Sequence, residues 1–269
     1  EIADDPRASL TPAGVDRELT ILFADIRGFT TITEKMPPDD VLRYVNRFLA
    51  TVGDTLVASG ATIDKFMGDA VMAFWNAPLE TPDHKRKALC AVPQIEAAVR
   101  DLNTRLPHDG LPPIDIALGV NSGVASIGLM GTKNRLSYTC IGDSVTLAAR
   151  LEGLTRRYGV GNCVSGTALT VTTPELIFIE LDTIAVKGRA QAEKVFTVVP
   201  RTPDTEDIQR QIATARAAYL ARDWDMAANA FAALGTQTLA GRSLSVFAKE
   251  YQHRIDGFKL SPPPPDWDG

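Results

Sequence analysis

Apolar positions along the chain change period several times, and each change marks an element. Leu19 to Ala24 is a continuous apolar run of strand length, broken by Asp25, with Gly28 opening a turn into a helix. After Pro37-Pro38-Asp39-Asp40, where either aspartate suits a helix cap, Val41, Tyr44, Val45, Phe48, Leu49, Val52 and Leu56 recur at helical spacing. Ala61–Phe66 and Ala70–Trp75 read as two strands about a tight Met67-Gly68-Asp69 turn. A helix follows from about Asp83 to Leu106, with Pro93 as a kink. Ile114–Asn121 and Val124–Leu129 read as a second strand pair about Ser122-Gly123, and Gly131 to Ser137 as a loop before the strand Tyr138–Ile141. Asp143–Arg157 is an amphipathic helix, and short strands near Cys163, at Ile177–Leu181 and at Val195–Val199 complete the pattern.

Runs of antiparallel strands with helices gathered on one face predict an α+β fold. Residues 1–17 are polar and carry Pro6, Pro12 and Gly14, so they read as a linker before a domain spanning 18–200. Beyond Pro200 the composition shifts to Ala-rich helix. Residues 205–235 look like one tetratricopeptide-type hairpin, whose Trp224 and Phe231 would fill its own interior, and a further helix spans about Leu244 to Phe258. This helical extension covers 201–260, and the tail 261–269 is too proline-rich for helix or sheet.

Composition narrows the function. The 269 residues carry a net charge of −5 and no long basic run, which argues against a nucleic-acid partner. Cys90, Cys140 and Cys163 lie far apart in apolar stretches, with neither disulfide nor zinc spacing, as in a reducing compartment. His84, His108 and His253 sit in polar contexts and read as surface residues. No run reaches transmembrane length. The chain begins at Glu1, so it reads as a fragment; its Pro265-Asp-Trp-Asp-Gly269 ending resembles those of longer proteins with an N-terminal sensor and membrane helices, of which it would be the cytoplasmic part.

Two segments carry the chemistry: Phe23-Ala24-Asp25-Ile26-Arg27-Gly28-Phe29-Thr30 and Asp64-Lys65-Phe66-Met67-Gly68-Asp69-Ala70-Val71-Met72-Ala73-Phe74. Each sets an aspartate at the edge of an apolar strand beside a glycine, where burial is costly without a compensating cation. One such aspartate alone would be a turn or cap residue. Two together predict a divalent-metal site handling phosphates, with free N–H groups at the helix start after Gly28 to receive them. Phe66, Met67, Met72, Phe74 and Trp75 read as core and dimer-interface packing.

With Tyr138-Thr-Cys-Ile-Gly-Asp-Ser-Val-Thr-Leu-Ala-Ala-Arg-Leu-Glu152 and Val186-Lys187-Gly188, these segments resemble, in order from about Glu18 to Pro200, the class III nucleotidyl cyclase catalytic domain. The resemblance implies a ferredoxin-like fold whose chains pair head to tail as a homodimer, with active sites between them. It implies two Mg²⁺ or Mn²⁺ ions per site, held by Asp25, Asp69 and the backbone carbonyl of Ile26. Gly28, Phe29 and Thr30 would touch the triphosphate. The partner chain would bring Lys65 and Thr139 to the base, and Arg150 and Lys187 to the phosphates. Lys133 and Arg135 are either further phosphate cations or solvated loop charges.

Lysine can only donate, which suits adenine N1, while a threonine hydroxyl can accept from N6. Lys65 with Thr139 therefore favours ATP, converted to 3′,5′-cyclic AMP and pyrophosphate; guanylyl members of the family usually carry glutamate at the lysine position. A departure is Thr146, where the family usually has an asparagine that orients the ribose, so slow turnover is expected. A guanylyl cyclase and a low-activity nucleotide-binding regulatory homologue are the alternatives.

Overall fold

A computed structural model of the chain describes residues 14–132, 134–169, 173–185, 192–264 and 267. Its centre is two long strands, β1 (Val15–Ile26) and β4 (Ile116–Thr132), antiparallel from Val15↔Ile127 to Ile26↔Ile116. Alternation along β1 sorts its side chains onto two faces. Leu22 and Ala24 enter the core under α2 (Pro38–Ala58) and α3 (His84–Arg105), with Tyr44, Phe48, Val92 and Ile95. Leu19 and Ile21 enter a second cluster with Phe74, Cys140 and Ala148 on the opposite face. Burying a side chain such as Leu22 completely is worth about 1.5–3 kcal/mol, so both faces contribute to stability.

Around this pair the sheet runs β2-β3-β1-β4-β6-β8-β7, with β5 also pairing with β4. The remaining strands are β2 (Thr62–Met67), β3 (Ala70–Trp75), β5 (Arg135–Ile141), β6 (Asn162–Ser165), β7 (Leu176–Ile184) and β8 (Glu193–Pro200). All pairings are antiparallel except β4–β6. A short helix, α1 (Phe29–Thr33), follows β1. The helix α4 (Asp143–Tyr158) covers the face away from α2 and α3, so helices lie on both faces rather than one.

The strand break expected at Ser122-Gly123 is not there: β4 runs through it, and most of the segment read as a loop is strand, Gly131 and Thr132 in β4 and Arg135 to Ser137 in β5. Its glycines serve α4 instead. A Cβ on Gly119 would stand 2.2 Å from the Ala148 carbonyl and the Glu152 amide, and one on Gly123 would meet Ser144 Oγ at 2.4 Å. Between them, Asn121 donates to the Ser144 carbonyl at 2.8 Å. Helix and strand thus touch backbone to backbone, which only glycine allows.

Two other expectations change. His84 is buried: Thr20 Oγ1 lies 2.8 Å from its Nδ1, and burial lowers its pKa. It faces the sheet because it opens the buried stripe of α3, whereas His108 and His253 are exposed. Asp39 and Asp40 lie in the first turn of α2, whose N-cap is Pro37. Pro93 lies inside α3, at the place expected for it.

After β8 come α5 (Pro203–Leu220), α6 (Trp224–Leu234), a small hairpin of β9 (Thr238–Leu239) and β10 (Arg242–Ser243), and α7 (Ser245–Leu260). The helices share one buried cluster with α4, β6, β7 and β8. Phe231 stacks on Tyr251 of α7 with ring centroids 4.2 Å apart, so the interior of the α5–α6 pair is completed by the third helix. Trp224 contacts Tyr219, Phe258 and Trp267, so Trp267 of the tail packs on the helices. Among the described residues, no helix is long and apolar enough to cross a membrane.

Candidate active site

The β1–β3 ladder ends at Ala24↔Val71, one residue before Asp25 and two after Asp69. Both aspartates therefore leave the sheet at the same edge, with their carboxylates facing one another. Burial raises the Asp25 pKa well above the usual carboxylate range, and the neighbouring Asp69 and Glu152 raise it further. Glu152, from α4, is a third acid at this point; burial raises it too, against the pull of Arg27 and Arg156. This repulsion is what a divalent cation would relieve. Among the described residues no cluster of three or more His, Cys, Asp or Glu side chains stands as a metal-binding group. An oxygen-only pair of carboxylates nevertheless fits Mg²⁺ or Mn²⁺, which take one or two carboxylates and complete their shell with water and phosphate oxygens.

Ile26 is buried at the end of the ladder, and its N–H donates to Asp25 Oδ1 at 2.8 Å. Gly28 then turns the chain with φ of +68° into α1. Gly28 and Thr30 are exposed, and Phe29 packs partly against the core beneath α2. The first N–H groups of α1 have no partner within the helix, as at any helix start.

A second constellation lies on the hairpin that carries Asp69. Lys65 Nζ donates to Thr139 Oγ1 at 3.2 Å, bringing β2 and β5 together within one chain. Thr139 is buried and donates its hydroxyl proton to Asp64 Oδ2 at 2.5 Å. The Asp64 side chain is wholly buried, and Lys65 Nζ lies 3.2 Å from its Oδ1. That approach is an ion pair without hydrogen-bond geometry, so Oδ1 remains a buried oxygen with no donor. Asp64 thereby fixes the polarity of the group: Thr139 has spent its proton and can only accept, while Lys65 can only donate.

Thr146 and Arg150 are one turn apart on the exposed side of α4. Thr146 Oγ1 reaches the Gly142 carbonyl at 3.4 Å, a long contact within its own helix. Arg135 is exposed at the start of β5, and Lys133 and Lys187 lie outside the described residues. Phe66 and Met67 are exposed beside Lys65, whereas Met72, Phe74 and Trp75 are buried.

A family model described as the adenylate and guanylate cyclase catalytic domain matches residues 13–199. The chain belongs to this family. Adenylate cyclase 1 of Rhizobium meliloti is 34% identical over 183 residues, 68% of this chain and 28% of that protein. Adenylate cyclase of Anabaena cylindrica is 32% identical over 189 residues, 69% of this chain and 38% of that protein. The cyclase chain therefore spans about a third of the length of the curated relatives it matches. Among solved structures, the guanylyl cyclase Cya2 superimposes with a TM-score of 0.65 at 28% identity, covering 71% of this chain and 96% of that one. The adenylyl cyclase CyaB from P. aeruginosa gives 0.63 at 30% identity, covering 71% and 97%. The class III cyclase fold expected from the motifs is the fold of this chain.

Three residues of the candidate site escaped the sequence reading. Asp64 stood in a quoted motif, but its place beneath Thr139 depends on the β4–β5 hairpin folding over β2. Glu152 ended another motif, and only the packing of α4 on Gly119 turns it toward the aspartates. Arg27, partly buried beside Glu152, reads in sequence as an ordinary turn cation.

Proposed function

We propose that this class III cyclase domain is an adenylyl cyclase, converting ATP to 3′,5′-cyclic AMP and pyrophosphate at sites shared between two copies of the chain. The observation that carries the choice of base is the polarity of the Lys65–Thr139–Asp64 chain. With its proton committed to Asp64, Thr139 offers a lone pair to a base amino group, and Lys65 keeps protons for a ring nitrogen acceptor. Adenine presents that pair, a donor at N6 and an acceptor at N1; guanine presents the reverse. The named adenylate cyclases among the relatives support the same reading.

Asp25 and Asp69 would hold two metal ions with the Ile26 carbonyl. When bound there, Mg²⁺ or Mn²⁺ supplies acidification of the ribose 3′-hydroxyl and neutralisation of the polyphosphate. The chain's own work is positioning: Gly28, Phe29 and Thr30 receive the triphosphate at the start of α1, Arg150 and Lys187 draw its charge, and Thr146 faces the ribose. Lys65, Thr139 and Arg150 serve the site whose aspartates belong to the partner. Exposed Phe66, Met67 and Ile141, all apolar and close to Lys65 and Thr139 in sequence, support a pairing surface there.

Purified chain with Mn²⁺ and equal ATP and GTP tests the proposal, with products separated by chromatography. Cyclic AMP should dominate. Cyclic GMP in excess would make the chain a guanylyl cyclase. Nucleotide binding without either product would make it a regulatory homologue.

A further inference from the structure

The C-terminal unit reaches the neighbourhood of the aspartates through one side chain. Arg242, at the start of β10, places Nη1 2.6 Å from Asp115 Oδ1, and its Nη2 lies 3.5 Å from the Ile116 carbonyl. The other oxygen of Asp115, Oδ2, lies 3.3 Å from Arg27 Nη1, and the Asp115 carbonyl accepts from the Arg27 N–H at 2.8 Å. Arg27 also donates to the Val160 carbonyl, and its Nε is buried without a partner. Asp115 is thus clamped between two arginines 215 positions apart in the sequence, one following Asp25-Ile26 and one from the helical extension.

The location gives this clamp its meaning. The β1–β4 ladder closes at Ile26↔Ile116, so Arg27–Asp115 is the first link beyond the last pair. Past it the chain turns at Gly28, which restrains nothing by itself. The Arg27 guanidinium also lies beside Glu152, the acid that crowds Asp25 and Asp69. Any freedom of Asp115 passes to Arg27, and from there to the backbone that aims the Asp25 carboxylate and the Ile26 carbonyl.

We propose that Arg242, delivered by the β9–β10 hairpin of the C-terminal unit, is a positioning residue for the metal-holding end of β1, acting through Asp115 and Arg27. This rests on the metal site proposed above. The helical extension is then part of the machinery that shapes the site rather than a detachable appendage. Arg242 touches neither nucleotide nor metal, and its effect is read in how tightly the two aspartates hold a cation.

The test measures Mn²⁺ binding to the nucleotide-free full chain by calorimetry, alongside the Mn²⁺ dependence of turnover. Arg242 is a half-exposed ion-pair partner, so R242A should weaken Mn²⁺ binding about three- to fivefold, the scale of such pairs. R242K, which can still reach one oxygen of Asp115, should stay within about twofold of the parent. R27A should weaken binding at least as much as R242A, and R27A/R242A should be no worse than R27A alone, because the two act in series. K259A breaks a comparably exposed ion pair inside the extension, with Asp225 at 2.6 Å, and should leave Mn²⁺ binding unchanged. Parental Mn²⁺ affinity in R242A, equal losses in R242K and R242A, additive losses in the double variant, or an equal loss in K259A would each overturn the proposal. A parent chain that binds no Mn²⁺ sinks the metal site and this proposal together, whereas a binding parent with an unaffected R242A sinks this proposal alone.

Discussion

Replacing Asp64 with asparagine keeps the shape of a wholly buried side chain and removes its charge. Thr139 then exchanges the charged acceptor of its proton, at 2.5 Å, for a neutral amide, and Lys65, which loses the carboxylate 3.2 Å away, competes for the one amide oxygen. The asparagine amide can turn its NH₂ toward Thr139, which frees the threonine proton to point at the base. The hydroxyl becomes a donor where adenine N6 also donates, and it becomes complementary to guanine O6. A hydrogen bond to a charged partner in a buried setting is worth about 1.5–3 kcal/mol, so kcat/KM for ATP should fall roughly 10- to 150-fold. GTP gains the contact that ATP loses, and the ratio of kcat/KM for ATP over GTP should fall by at least about tenfold. The assay is steady-state turnover of each nucleotide at saturating Mn²⁺, with the melting temperature of D64N measured beside the parent. A variant that keeps the parental ATP-to-GTP ratio while remaining folded would refute the role given to Asp64, and with it the polarity argument for adenine.

Gly119→Ala drives a Cβ into the backbone of α4, with the nearest atoms at 2.2 Å; it should cost about 3 kcal/mol in denaturant unfolding. Arg254→Met strips the buried Asp182 of its ion pair at 2.6 Å and should cost about 3–5 kcal/mol. Burial alone would raise the Asp182 pKa, but Arg254 and Tyr158 outweigh it and hold the group below the ordinary value. Its contribution is therefore complete above about pH 4, where an unfolded aspartate is ionised, and is lost as pH falls through the lower folded value. Acid melts of the parent should show that loss, and R254M should show less of it. Asp69→Asn removes the charge facing Asp25 and one of the two proposed carboxylate donors, so Mn²⁺ binding by calorimetry should fall at least about tenfold. Thr146→Asn restores a paired donor and acceptor toward the ribose; kcat should rise about three- to tenfold, with KM for ATP little changed.

The parts of the site that were legible in the sequence are those whose meaning is local. Asp25, Gly28 and Asp69 each lie within two residues of a strand end, beside a turn, so the apolar pattern around them marked the edge of the sheet. Lys65 and Thr139 were paired by resemblance, and the chain brings them within 3.2 Å. Ser122-Gly123 misled because glycine inside an apolar run reads as punctuation, whereas here it makes room for Ser144 of a helix still to come. His84 misled for a related reason: its polar neighbours on α3 face water while it faces Thr20. Arg242 and Asp115 are 127 positions apart, and no periodicity connects them. Such pairings depend on how the C-terminal helices settle against β6–β8, which the full three-dimensional packing decides.

The seating of α4 on β4 has a mechanical consequence. Most helices rest on a layer of side chains that can change rotamer and let the helix roll or slide. At Gly119 that cushion is missing, and the Ala148 carbonyl and Glu152 amide sit where a methyl group would be. The helix carrying Thr146 and Arg150 has no suspension and moves only with the strand beneath it. If the site is completed by a second copy, Arg150 approaches or leaves the opposing aspartates by travel of the whole protomer. A regulator of such an enzyme has to steer the angle between two stiff bodies, because within either body the gearing is locked.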